Sequence, residues 1–131
     1  MRLVNVNQPK SGYEAQQELV SFKRYELKRI FQIYARMVAQ GRWKDYGISC
    51  MADRAIFSIF RRTTEYPLYM IIKHPVKSRK KGLYSIIGMD GQILRSGQNL
   101  DLVLIFFNKK LLRSLPWKAI FFEYQANLKK E

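Results

Sequence analysis

The sequence predicts an α+β domain: one helix, then an antiparallel meander of four to five strands, then one or two further helices. Three observations predict it. Apolar residues recur at three- and four-residue steps before Gly41 and again after Asn99, the period of helices with one buried face. Between Asp45 and Arg95 the period drops to two, and the residues become β-branched and aromatic. Short turn-forming interruptions separate these alternating runs, which makes successive strands antiparallel neighbours.

Residues 1–20 hold Asn5, Asn7, Gln8, Pro9, Ser11 and Gly12 and read as a flexible N-terminal arm, with a frayed strand at Leu3–Val6. Residues 21–131 read as a single domain. Its first helix is expected from Lys23 to Gln40, with Leu27, Ile30, Phe31, Tyr34, Met37 and Val38 as the apolar stripe. Ser21 is the candidate cap, and Gly41 can adopt the left-handed conformation that ends a helix. Lys28, Arg29, Gln32 and Arg36 occupy the other face.

Strands are expected at Tyr46–Met51, Ala55–Arg62, Leu68–Lys73, Leu83–Met89 and Gln92–Arg95. Ala52-Asp53 and Thr63–Tyr66 supply the first two turns, and Pro67 opens the third strand where a missing amide donor matters least. His74–Gly82 reads as a long basic loop. Asp90-Gly91 is a hairpin signal of the kind in which both central residues take positive φ. Asn99 is placed to cap a second helix with a stripe of Leu100, Val103, Leu104, Phe107 and Leu111. Asp101 in its first turn and Lys109 and Lys110 near its end suit the helix dipole. Leu115-Pro116 breaks the pattern. A helical tail follows, in which Trp117, Ile120, Phe121, Tyr124 and Leu128 are too apolar to stay in water. Packing on the chain's own sheet is the leading expectation. A proline hinge at Pro116 leaves open an exchanged helix in a homodimer.

Charge is the strongest functional signal. The chain carries 24 Lys and Arg against 10 Asp and Glu, a net charge of +14 on 131 residues. The stretch Arg54–Lys81 concentrates it: Arg54, Arg61, Arg62, Lys73, Lys77, Arg79, Lys80 and Lys81 stand against Glu65 alone. A field of one sign attracts polyanions, which makes nucleic acid the first partner to consider. Lysine richness also follows from an AT-rich genome, so the arginines are the better evidence. Apolar residues make up 47% of the chain and charged residues 26%, a globular rather than a disordered composition. The longest apolar run, Leu102–Phe107, is far short of the ~20 residues of a spanning helix, and the N-terminus lacks the apolar block of a signal peptide. One cysteine, Cys50, forbids an internal disulfide and fits a reducing compartment. These features lead us to expect a cytoplasmic protein with no membrane partner.

The eight cations just named are the candidate nucleic-acid-binding residues. Alternation puts Arg54, Ile56, Ser58, Phe60 and Arg62 on one face of a strand and Ala55, Phe57, Ile59 and Arg61 on the other. Either face sets guanidinium beside rings, which neutralises phosphate and stacks on unpaired bases. The competing reading makes Phe57 and Phe60 core residues and the cations a solvated surface. Arg61 and Arg62 suit a phosphate fork, or a pair with Glu65 or Asp53. Trp43 is expected to wedge between helix and sheet, with Asp45 capping or pairing with Arg42 or Lys44. His74 has no sequence partner for proton transfer. Cys50 has no companion for metal or thiol chemistry, and no phosphate-cradling glycine loop or hydrolytic carboxylate pair is present. No catalytic residues, metal or cofactor are therefore assigned, and binding is the expected class of function. Alternatives to nucleic acid are a protein–protein interaction module, and a pocket for a small phosphorylated ligand around Asp53, Arg54, Arg61 and Arg62.

The segments Gly41–Ile48, Arg54–Arg62, Glu65–Tyr69, Gly82–Tyr84, Gly88–Leu94 and Leu100–Leu104 together resemble a small alphaproteobacterial family known only as a domain of unknown function. The resemblance covers about residues 22–105 and implies a bacterial cytoplasmic protein. It brings no activity, ligand or catalytic residue with it.

Overall fold

Alternation along the meander sorts its residues onto two faces of one sheet, and only one face meets the helices. The computed structural model describes residues 3–5, 18–62, 66–75 and 83–114. The elements are β1 (Leu3–Asn5), α1 (Arg24–Ala39), β2 (Asp45–Cys50), β3 (Ala55–Phe60), β4 (Tyr69–Lys73), β5 (Tyr84–Gly88), β6 (Ile93–Gly97) and α2 (Leu100–Ser114). Among the described residues the sheet runs β1-β2-β3-β4-β5-β6, with every pair antiparallel except β1 with β2. The α+β meander expected from the sequence is therefore present. The strand expected in the N-terminal arm is also there, joined to the sheet edge in register Leu3 with Ile48. A parallel neighbour needs a crossover, and α1 provides it.

Register fixes what each face carries. Ala55, Phe57 and Ile59 pair across to Lys73, Ile71 and Tyr69, and these side chains face the helices. Phe57 is fully buried and lies against Tyr46 and Phe31, with ring centroids 5.2 and 5.3 Å away. The core joins Ile30, Ile33 and Met37 of α1, Ile48, Phe57, Ile71 and Ile86 of the sheet, and Val103, Leu104, Phe107 and Leu111 of α2. Trp43 fills the junction after α1, as its place in the sequence suggested: it is stacked on Phe107 at 6.0 Å and sits 6.1 Å from Tyr69.

The second face carries Ile56 with Ile72, Ser58 with Met70, and Ile72 with Ser85 as cross-strand neighbours. Phe60 ends β3 on that side. It is half-buried and lies outside the core that holds Phe57, so the two phenylalanines differ in role.

Local details depart from expectation at three points. The residue before α1 is Lys23, not Ser21, and the turn is closed by Glu26 reaching back to the Lys23 amide at 2.6 Å. In the β5–β6 hairpin only Gly91 has positive φ, at 85°. Gly88 accepts from the Gly91 amide and donates to Gln92, so Met89-Asp90-Gly91 form a three-residue loop with a left-handed last position, not a two-residue turn. The strand expected to run on to Arg62 stops at Phe60, leaving Arg61 and Arg62 beyond it. Other expectations hold: Gly41 ends α1 at φ 73°, and Asn99 caps α2 by accepting from the Leu102 amide at 3.2 Å. The tail from Leu115 and the turn residues Thr63–Glu65 lie outside the described residues.

A Cβ at Gly91 meets open space, so Gly91→Ala tests backbone conformation alone. We expect it to lower the unfolding free energy by about 1–2 kcal/mol in urea titration. Gly47→Ala, at a strand position with ordinary φ and equally open space, should change it by less than about 0.5 kcal/mol.

Candidate functional site

The described members of the predicted site do not share one platform. Arg54 precedes β3 and Arg61 follows it, so about 23 Å of strand separates them at ~3.3 Å per residue. Arg54 Nε lies 3.2 Å from Asp53 Oδ2, an exposed neighbour pair. Lys73, at the same end of the sheet as Arg54, points to the helix side. Lys77, Arg79, Lys80 and Lys81 lie outside the described residues. The small-ligand arrangement of Asp53, Arg54, Arg61 and Arg62 is likewise divided between the two ends of β3.

Lys73 has a structural partner. Its Nζ donates to Glu26 Oε1 at 2.8 Å and to the Ser21 carbonyl at 3.0 Å. Tyr84, across the β4–β5 ladder from Lys73, donates its hydroxyl to Glu26 Oε2. Glu26 is 0% exposed, the one acid inside the α1 stripe. Burial pushes its carboxyl up, but the hydrogen bonds from Lys73, Tyr84 and the Lys23 amide, with the Lys73 charge, outweigh this and hold it below the usual glutamate value. The same contacts act on Tyr84 in the other direction: burial first, then the hydrogen bond to Glu26 and its negative charge, raise its phenol far above the ordinary tyrosine range. Sequence reading missed this cluster. The signal was present, since Glu26 stands four residues before Ile30 on the buried spacing 26, 30, 33, 37, and Lys73 falls on the inward side of β4.

A groove of about 400 Å³ opens beside the cluster between Leu19–Lys23 and the Lys73–Pro75 and Leu83–Tyr84 segments. A smaller one, about 200 Å³, lies between α1 and α2, where Arg29 and Asp101 approach to 3.5 Å. In that second groove Asn108 Oδ1 is buried without a hydrogen-bond partner among the described residues. His74 Nε2 is 3.4 Å from Ser85 Oγ on the far face of the sheet. Cys50 is buried, which raises its thiol pKa, and no metal-ligating cluster exists among the described residues. No helix among them is long and apolar enough to cross a membrane.

Cations do gather at the other end of the sheet, with two members that sequence reading had assigned to local pairing. The Lys44 amide donates to the Phe60 carbonyl at 2.9 Å, so Arg42-Trp43-Lys44 runs beside Phe60-Arg61-Arg62. All four of these cations are exposed. α2 points its last turn to the same end, because Phe107 packs on Tyr69 at 4.9 Å and on Trp43, and Lys109, Lys110 and Arg113 are exposed beyond it. The described acids here are Asp45, whose Oδ1 accepts from the Tyr46 amide, and Asp90 in the β5–β6 hairpin. The loop Gly41–Lys44 that builds this end, the Glu26–Lys73–Tyr84 cluster and the meander all fall within residues 20–104, which match the family model described as a protein of unknown function, DUF2794. The chain belongs to this family. No curated protein and no solved structure matches it. In this DUF2794 chain the matched stretch ends inside α2, at Leu104.

The pKa shift of Glu26 sets a pH dependence. Its folded value is below the unfolded one, so its contribution is complete above about 4.5 and is lost as pH falls through the lower folded value. Glu26→Gln should lower stability by about 3 kcal/mol at neutral pH, leaving Lys73 without its counter-charge, and should flatten the acid limb of stability against pH. Glu26→Gln with Lys73→Met should recover a large part of that loss. Chemical denaturation between pH 3 and pH 8 measures all three.

Proposed function

We propose that the protein binds nucleic acid through its phosphates, at the end of the sheet where Arg42, Lys44, Arg61 and Arg62 stand together. The observation that carries this reading is the Lys44–Phe60 backbone hydrogen bond, which brings two cationic segments from separate parts of the chain side by side. Exposed Lys and Arg on neighbouring segments neutralise phosphates and release counterions, the main source of affinity for a polyanion. Exposed Lys109, Lys110 and Arg113, toward the C-terminal end of α2, widen the same positive end.

The face of the sheet is a poor fit for base stacking. Among the described strand residues its second side carries one aromatic ring, Phe60, and no Lys or Arg. Single-strand platforms need several rings beside cations. Contacts to the backbone, with little reading of base identity, suit this geometry better than sequence recognition.

The test is binding to a fluorescent duplex and a fluorescent single strand over a salt series. Arg42, Lys44, Arg61 and Arg62 changed together to Gln should weaken binding and reduce the slope of log K against log salt by about one for each phosphate no longer neutralised. The companion variant Arg79, Lys80 and Lys81 to Gln tests the cations that lie outside the described residues. An unchanged affinity and slope in the first variant would sink this assignment.

A further inference from the structure

The second face of the sheet is an apolar surface that no described element covers. Ile56, Phe60, Met70, Ile72 and Ile87 lie on it, and none of them belongs to the core between sheet and helices. Two of its central residues are nevertheless shielded: Ile72 is 6% and Ser85 4% exposed. Open sheet faces are compatible with an antiparallel sheet when their residues are polar; Ser49, Ser58, Ser85 and Ser96 share this face, but its central strands β3 to β5 are mostly apolar.

We propose that the segment 115–131 of the same chain covers this face. Three observations select it over other occupants. The first is position. α2 starts near Gly97, where Val103 would lie 3.1 Å from an added Cβ, and it reaches Tyr69 and Trp43 at Phe107. It therefore ends, at Ser114, toward the end of the sheet where Phe60 and Met70 lie on the second face. The second is pattern and length. Trp117, Ile120, Phe121, Tyr124 and Leu128 recur at helical spacing, and at ~1.5 Å per residue the stripe is about 17 Å long. Strands of five or six residues are about 17–20 Å long, so the stripe matches the face it would cover.

The third is size and charge. Five strands spaced ~4.8 Å apart and about 17–20 Å long give a face on the order of 400 Å², about half the ~800 Å² per partner of a stable protein–protein contact. Two copies at +14 each would also repel across so small a patch. A single amphipathic segment needs neither the area nor the charge balance. Lys118, Lys129 and Lys130 fall off the apolar stripe and would remain in water.

Cross-linking in the full chain tests this. Ser58, at the middle of the face, and Asn127, beside the apolar stripe at helical spacing, are both changed to Cys and treated with a bismaleimide of ~10 Å reach. Cys50 stays in place because it is buried on the opposite side of the sheet. The expected product is a monomer with the peptides containing positions 58 and 127 joined. A covalent dimer joined through the same two positions would overturn the proposal in favour of an exchanged second copy, and absence of the 58–127 link would overturn it outright. The single variant Ser58→Arg gives a second reading without chemistry. With circular dichroism unchanged it should raise acrylamide quenching of Trp117 at least twofold, while Trp43 stays shielded in the core. Unchanged quenching in a folded Ser58→Arg protein would also overturn the proposal.

Discussion

One buried carboxylate ties the two layers of this protein together. Glu26 receives the Lys23 amide from its own helix, Lys73 from β4 and Tyr84 from β5, so it closes the first turn of α1 and pins that turn to the sheet at once. A charge without solvent is tolerable only when its lone pairs are filled and a counter-charge is near, and both conditions are met here. Trp43 holds the other end of α1, between Tyr34, Tyr69 and Phe107. With both ends held, the loop Gly41–Lys44 has little freedom, and its cations are set down beside Phe60 and Arg61. The polar pin at one end of the sheet thus helps place the exposed charge at the other.

The chain uses its cations in two ways. Lys73 serves the fold, Arg54 is occupied by Asp53 at the surface, and Arg29 approaches Asp101 between the helices. The group around Arg42, Lys44, Arg61 and Arg62 is the one that the fold assembles from two distant parts of the sequence. A net charge of +14 shows only that a polyanion would be attracted; the fold determines where on the surface the attraction is strongest.

How much of this was legible in the sequence differs by level. Period-two alternation identified β2 to β6, and period 3.6 identified both helices, because burial on one face imposes those patterns directly. Capping by Asn99 and the left-handed glycines at 41 and 91 follow from local chemistry, and were readable for that reason. What escaped is non-local. Glu26 went unnoticed, since its partners Lys73 and Tyr84 are 47 and 58 residues away. Lys73 was counted with the binding cations because composition cannot tell an inward lysine from an outward one. Arg54 and Arg61 were grouped by closeness in sequence, although seven residues of extended strand is one of the longest separations a small sheet offers. Arg42 and Lys44 were weighed only as alternative local partners of Asp45, since sequence does not show that Phe60 lies beside Lys44.

The proposed contact with nucleic acid lies at the Arg42–Arg62 end of the sheet. Amide chemical shifts followed during titration with a short duplex at low salt would map that contact most directly. The predicted result is a set of perturbations confined to residues 41–45, 60–62 and the last turn of α2, which vanishes as salt is raised. Perturbations centred on the 18–23 and 73–75 segments, or on the Ile56–Ile72 face, with the Arg42–Arg62 end unmoved, would contradict it.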